Sequence, residues 1–218
     1  MNEPKTASVF LAGECPDLWQ GDCHVSGKLI AAVDGGYAHT RRLGLKASIL
    51  LGDFDSLDPN LYQDAVSSGI EIIRWPRYKD NTDGDLACAE LYNRGYRFIY
   101  IFGALGGSRF DHALGNIGLL GLWKLKGLRL VILQGSLRIE VLSDEHYYFN
   151  GNQGDMVSLY PLSPVVNNVS VRGFQYPLDR DTLRFGESRT LSNRIVSDTA
   201  EISSGEGLLL LMHYRFRW

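Results

Sequence analysis

Two rhythms in the sequence predict an α/β N-terminal domain with a mostly parallel sheet, followed by a smaller all-β sandwich domain. In roughly the first 135 residues, short apolar runs alternate with helix-like stretches; beyond them only short alternating runs remain, broken by Asn, Gly, Pro and Ser. A third observation concerns loops: 24 of the 218 residues are glycine, many beside aspartate, where a usual share is ~7%.

The first domain is built from apolar runs at 8–12, 29–33, 48–51, 71–74, 98–102 and 128–133. Each is β-branched or aromatic in part and flanked by Gly or Asp, as buried strands are. Helical patterns lie between them at 37–43, 61–68, 86–94 and 113–124. Such alternation implies a parallel sheet covered on both faces. The later runs, at 138–142, 155–160, 169–171, 199–203 and 208–213, show no helical period and read as antiparallel strands. The turn-rich segment 143–152 is the expected boundary, giving domains 1–145 and 146–218. The second is small enough that support from a partner subunit is expected.

Composition narrows the class. Hydrophobic residues make up 44% and charged residues 22%, ordinary values for a globular chain and not those of a disordered one. The aliphatic stretch from Leu208 to Met212 is far too short to cross a bilayer, and the apolar run at 7–12 has no basic flank, so no signal peptide is expected. Three widely spaced cysteines make no disulfide framework and suit a reducing cytoplasm. With 22 Lys+Arg against 25 Asp+Glu and no basic run, neither a nucleic-acid nor an anionic-membrane surface is expected.

The chemistry concentrates at the predicted strand ends, where ligands of open α/β sheets sit. Asp34-Gly35-Gly36 follows the second strand and Gly52-Asp53-Phe54-Asp55-Ser56 the third. Lys79-Asp80-Asn81-Thr82-Asp83-Gly84-Asp85 follows the fourth, and a glycine-rich loop, Gly103 to Gly107, leads into Ser108-Arg109-Phe110-Asp111-His112 after the fifth. Asp34, Asp53, Asp55, Asp80, Asp83, Asp85 and Asp111 thus share one rim. Two unit charges 4 Å apart repel by roughly 4 kcal/mol at an effective dielectric near 20. A hard divalent cation relieves this, and Mg²⁺ does so through one or two carboxylates plus waters and substrate phosphates. Glycines let backbone approach a bulky anion, and Lys79 and Arg109 stand ready to offset its charge. A plainer role competes at one loop: Asp80, Asn81 and Thr82 can cap the next helix, with Asp83 and Asp85 complementing its dipole.

Other chemistries lack their signatures. There is no P-loop, dinucleotide fingerprint or nucleophile elbow around Ser56, and Cys15 with Cys23-His24 lacks the second pair a zinc site needs. His39 and His146 are expected on surfaces, and Trp19, Trp75, Trp123 and Trp218 in ordinary packing. In the second domain Tyr176-Pro177-Leu178, Thr182 to Gly186 and Ser188 to Asn193 offer hydroxyl and amide groups suited to a polar heterocycle, or to a turn.

Taken in order, these motifs resemble those of bacterial-type thiamin pyrophosphokinases. The resemblance rests on Asp34-Gly35-Gly36, Gly52 to Ser56, Lys79-Asp80-x-Thr82-Asp83, Arg109-x-Asp111-His112 with Asn116, and Leu183-Arg184-Phe185-Gly186-x-Ser188-Arg189 through Ser192-Asn193. It implies an α/β nucleotide domain and a β-sandwich in a homodimer whose sites are shared between subunits. It also implies transfer of the pyrophosphoryl group of ATP to the hydroxyl of thiamin, giving thiamin diphosphate and AMP, with Mg²⁺. By the same resemblance Asp53, Asp55, Asp80 and Asp83 hold Mg²⁺ or order its waters. Asp34, Gly35, Lys79, Thr82 and Arg109 serve ATP, Asp111 positions or deprotonates the thiamin hydroxyl, and Ser192 and Asn193 contact the aminopyrimidine. Three departures stand out. Asp85 replaces a frequent Glu, Ser108 lengthens its loop by one residue, and Thr190 and Arg194 stand where Gly and Glu are common. The alternatives are another Mg²⁺-dependent pyrophosphokinase or nucleotide hydrolase, and a non-catalytic thiamin or nucleotide sensor.

Overall fold

Continuous apolar runs demand burial on both faces, and the computed structural model provides it by inserting them in one parallel sheet. It describes residues 4–16, 29–55, 57–150 and 152–215; Trp19, Cys23, His24, Ser56, Gly151 and Trp218 lie outside them. The chain divides into two units, one up to Gly135 and one from Ser136.

The first unit runs β1 (Thr6–Phe10), β2 (Leu29–Val33), α1 (Gly36–Arg42), β3 (Ile49–Gly52), α2 (Pro59–Ser67), β4 (Glu71–Arg74), α3 (Asp83–Asn93), β5 (Phe98–Phe102), α4 (Phe110–Leu125) and β6 (Arg129–Gln134). Its strands lie in the order β6-β5-β1-β2-β3-β4, every pair parallel. Phe10, Ala32, Leu50, Phe102 and Val131 share one face with Tyr37 of α1 and Ala65 of α2. The alternate residues Val9, Ala31, Leu51, Ile101 and Ile132 are equally buried, as a sheet covered on both faces requires. After β4 the chain returns to the far side of β1 to lay down β5. That reversal opens a crevice at the carboxyl ends of β1 and β5.

The second unit runs β7 (Leu137–Leu142), β8 (Glu145–Asn150), β9 (Met156–Pro161), β10 (Val165–Arg172), β11 (Leu178–Arg184), β12 (Asn193–Arg194), β13 (Thr199–Ser204) and β14 (Leu209–Tyr214). The order β12-β9-β14-β7 faces β11-β10-β13-β8, with antiparallel pairing throughout. Phe149, Leu159, Val166, Val171, Ile202 and Leu211 are among the residues filling the core between them. The predicted fold class therefore holds. Segment 143–152 departs from the expected turn: Glu145–Asn150 form strand β8, whose Tyr147 and Phe149 turn inward while His146 and Tyr148 stay exposed. Turns flank it, at Ser143 and Asp144, the latter at φ 49°, and at Gln153 and Gly154, as the second polar stretch leads one to expect.

Candidate active site

The crevice is held open by backbone, not side chains. Beyond β1 and β5 the two chain segments stay hydrogen-bonded, Gly13 N donating to Gly103 O at 2.8 Å and Glu14 N to Leu105 O at 2.8 Å. A Cβ on Gly13 would lie 2.5 Å from Gly103 O, and one on Gly103, at φ 65°, would lie 2.3 Å from Leu11 O. Only glycine permits that approach. The result is a cavity of about 520 Å³ lined in part by Asp34, Asp53, Asp55, Thr82, Asp83 and Arg109, with Gly13, Gly103, Gly106, Gly107, Ser108, His112 and Asn116.

Each wall has its own local cause. Asp34 leaves β2 in a left-handed conformation (φ 45°) and its Oδ1 accepts the Phe54 N–H at 3.0 Å. A Cβ on Gly52 would fall 1.9 Å from that oxygen, so Gly52 is what lets the carboxylate fit. Burial raises the Asp34 pKa to about 6; the Phe54 N–H and Lys79 oppose this, while Asp83 and Asp53 add to it. Asp53 is pushed the other way. Burial works against its charge, but the Asp55 N–H at 3.1 Å and the Lys79 ammonium at 3.1 Å prevail and its pKa falls. Lys79 lies between two carboxylates, with Asp83 Oδ1 at 2.7 Å. Although burial alone would lower its pKa, the two carboxylates raise it. Asp55 is more exposed and meets Arg77 at 3.3 Å.

Thr82 does cap α3, its Oγ1 accepting the Asp85 N–H at 3.3 Å, so the plainer capping role holds for Thr82 while the same residue also lines the cavity. Arg109 and Asp111 form a two-bond pair on the exposed rim, at 2.9 and 2.6 Å. That hydrogen bonding holds the Asp111 carboxyl down at about 2. Gly35 precedes α1, Asp80 is exposed, and neither they nor Lys79 and Asp111 belong to the lining. Two supports were not anticipated. Glu14 Oε1 accepts the Gly107 N–H at 3.1 Å, and His39, expected on the surface, is half-buried with Nε2 2.8 Å from Gly13 O. A carbonyl can only accept, so this nitrogen carries the proton. Neither residue sits in a motif; only their places beside the glycine segments could have flagged them.

Among the described residues no group of three or more His, Cys, Asp or Glu side chains is gathered closely enough to hold a metal ion. A cation that keeps its waters and binds substrate phosphates needs only one or two carboxylates. Asp53 and Asp83 already share one cation, the Lys79 ammonium, so the donors fit such an ion.

In the second unit a smaller apolar cleft, about 50 Å³, is floored by Val157, Leu159, Val171, Phe174 and Ile202 and edged by Tyr176, Arg189, Thr190, Leu191 and Asn193. Asn193 of β12 is spent on the segment before β11: Oδ1 accepts Tyr176 N–H at 3.0 Å and Nδ2 donates to Tyr176 O at 2.8 Å. Ser192, at φ 60°, donates its N–H to Ser158 Oγ at 2.9 Å and lies off the lining. Thr190, where Gly is common in the family it resembles, needs no left-handed backbone and donates its hydroxyl to Leu159 O at 2.8 Å.

Comparison with known proteins decides the family. The model of the thiamin pyrophosphokinase catalytic domain matches residues 15–132, and that of the thiamin pyrophosphokinase vitamin B1 binding domain matches 138–209. The chain belongs to the thiamin pyrophosphokinase family. It is therefore an enzyme that transfers the pyrophosphoryl group of ATP to thiamin, and the sensor alternative is not favoured. Among its relatives, thiamine pyrophosphokinase of Bacillus subtilis (strain 168) is 26% identical over 181 residues, covering 83% of this chain and 84% of that one. Thiamine pyrophosphokinase 1 of Oryza sativa subsp. japonica is 26% identical over 185 residues, covering 80% and 69%. The crystal structure of the Bacillus subtilis thiamine pyrophosphokinase shares the fold at a TM-score of 0.83 and 24% identity, over 98% of this chain and 100% of that one. Among the described residues no helix is long and apolar enough to cross a membrane.

Proposed function

We propose that the first unit's cavity binds the triphosphate of ATP with Mg²⁺, and that the thiamin hydroxyl attacks the β-phosphorus with AMP leaving. One observation carries this reading: Asp34, Asp53, Asp55, Thr82, Asp83 and Arg109 line one glycine-walled cavity at the strand-order reversal. Asp53, Asp55 and Asp83 would hold the Mg²⁺, with the exposed Asp80 acting only through ordered water. The ion would supply charge neutralisation on the phosphates.

The protein's own groups do the rest by positioning. Thr82 accepts with its oxygen while capping α3, so its hydroxyl hydrogen is free to go to a phosphate oxygen. Lys79 can trade its carboxylates for phosphate oxygens, and the Gly106 backbone on the cavity wall can face the anion. Arg109 and Asp111 form a pair that the substrate would split. While Arg109 holds it, Asp111 is a poor base; once phosphate draws Arg109 away, the carboxylate is freed to accept the thiamin proton. The apolar cleft of the second unit, with Asn193 at its edge and Ser192 beside it, is the proposed seat of the thiamin rings. A homodimer sharing its sites between subunits belongs to the same reading, supported by the small second unit, and a monomer by light scattering would count against it. A cytoplasmic setting belongs to the same reading, with Cys88 a buried thiol.

A chromatographic assay with thiamin, ATP and Mg²⁺ tests the reaction. Equal appearance of thiamin diphosphate and AMP, abolished by EDTA, is expected. AMP or ADP without thiamin diphosphate would overturn the acceptor, and no product at all would revive the sensor.

A further inference from the structure

Asp85 carries a carboxylate of the acidic motif, yet it does not line the cavity. It occupies the third position of α3, three after the cap Thr82, where an acidic side chain ordinarily folds back on the cap's own N–H. Here it reaches elsewhere. Oδ1 accepts the indole N–H of Trp123 at 2.8 Å, and Oδ2 accepts the amide of Asn81. Trp123 belongs to α4, is buried to 4% exposure, packs on Tyr92 at 5.6 Å and lies under Lys126 at 4.4 Å. Its indole is held in place, and a buried N–H must keep an acceptor. Asn81 lies in the irregular segment between β4 and α3, two residues after Lys79 and one before Thr82.

We propose that Asp85 is a positioning residue that ties the Lys79–Thr82 segment to α4 through Trp123, presetting the groups that meet the triphosphate. The proposal rests on the ATP reading of the cavity. It also accounts for Asp at this position: with Trp123 fixed, one further methylene would carry the carboxylate past the indole.

The variants are Asp85→Ala, Asp85→Asn and Trp123→Phe. Asn keeps an oxygen for Trp123, and a flipped Asn81 amide can accept from its NH₂, so Asp85→Asn retains both bonds without the charge. Asp85→Ala is expected to raise the KM for ATP about tenfold, the size of a lost hydrogen bond to a charged group, with kcat changed less than about threefold. Asp85→Asn is expected to stay within about threefold of the parent. Trp123→Phe should reproduce part of the Ala effect, and the double variant Asp85→Ala with Trp123→Phe should be no worse than Asp85→Ala alone.

Two readouts need neither ATP nor turnover. The Trp123 indole N–H resonance, identified by its loss in Trp123→Phe, should shift in Asp85→Ala and hold in Asp85→Asn. Backbone NMR order parameters at residues 79–82 should fall in Asp85→Ala only. If those readouts behave so while ATP is not a substrate, the tie stands and the functional reading fails. An Asp85→Asn variant as damaged as Asp85→Ala would assign Asp85 a role for its charge and overturn the proposal. So would a lowered melting temperature with unchanged order parameters and KM, which is what a simple cap would give.

Discussion

The acidic rim of the first unit and the polar loop of the second are equally conspicuous in sequence, but the fold uses them in opposite ways. At the rim, Asp53, Asp55 and Asp83 face a large cavity and bond mainly to cations and to one another's backbone. Along that stretch the side chain of Asn193 is committed to Tyr176, that of Thr190 to Leu159 and that of Arg189 to Asp181. What is left there is a small apolar cleft. A polar side chain that already holds the fold's own groups has fewer hydrogen bonds left for a ligand.

The sharpest way to break this contrast is at the rim. Asp53→Asn and Asp55→Asn are each expected to lower kcat by on the order of 10²–10³-fold, with little change in melting temperature. Near-normal turnover in both would remove the metal assignment. Gly52→Ala comes next. Its Cβ would meet the Asp34 carboxylate in a backbone region that disfavours L residues, costing about 1–3 kcal/mol. Calorimetry should show a fall of roughly 2–4 °C per kcal/mol, together with weaker ATP binding.

Asn193→Ala should behave differently. Losing its bonds to Tyr176 is expected to cost about 1 kcal/mol of stability and to raise the KM for thiamin, leaving ATP binding as it was. If instead ATP binding fell and stability held, the loop would be a phosphate site and the contrast would collapse. The smallest effect concerns acid. Burial lowers the pKa of His213 from 6.5, outweighing the hydrogen bond to Asp155; Phe149 packs edge-on against the ring. With the folded value below the unfolded one, the unfolded chain binds the proton first. Stability therefore falls as pH drops below about 6.5, and the loss ends once the folded state also protonates. Asp34, raised to about 6, pulls the other way in this window, so the His213 contribution is read as the difference between parent and His213→Gln in urea midpoints from pH 8 to 5.5.

Much of the fold was legible. The apolar strands 29–33, 71–74 and 98–102 coincide with β2, β4 and β5 because Gly or Asp punctuates their ends or periodic helix follows. Helix α3 begins at Asp83 and α4 at Phe110, each three residues before the expected start, because first turns rich in Asp, Gly and His read as loop. Strand β8 was hidden by its polar flanks, though Tyr147 and Phe149 already alternate with exposed neighbours.

By itself the sequence determined the order of elements, the loops that carry chemistry and the chemical types they present, since those follow from periodicity and local backbone preference. Only the tertiary structure decided the pairings: Lys79 between Asp53 and Asp83, Asp85 on Trp123, Asn193 on Tyr176, Glu14 on Gly107. Hydrogen bonds and ion pairs act over about 3 Å and in fixed directions. Which partner lies within that reach, often from a distant part of the chain, is settled by packing alone.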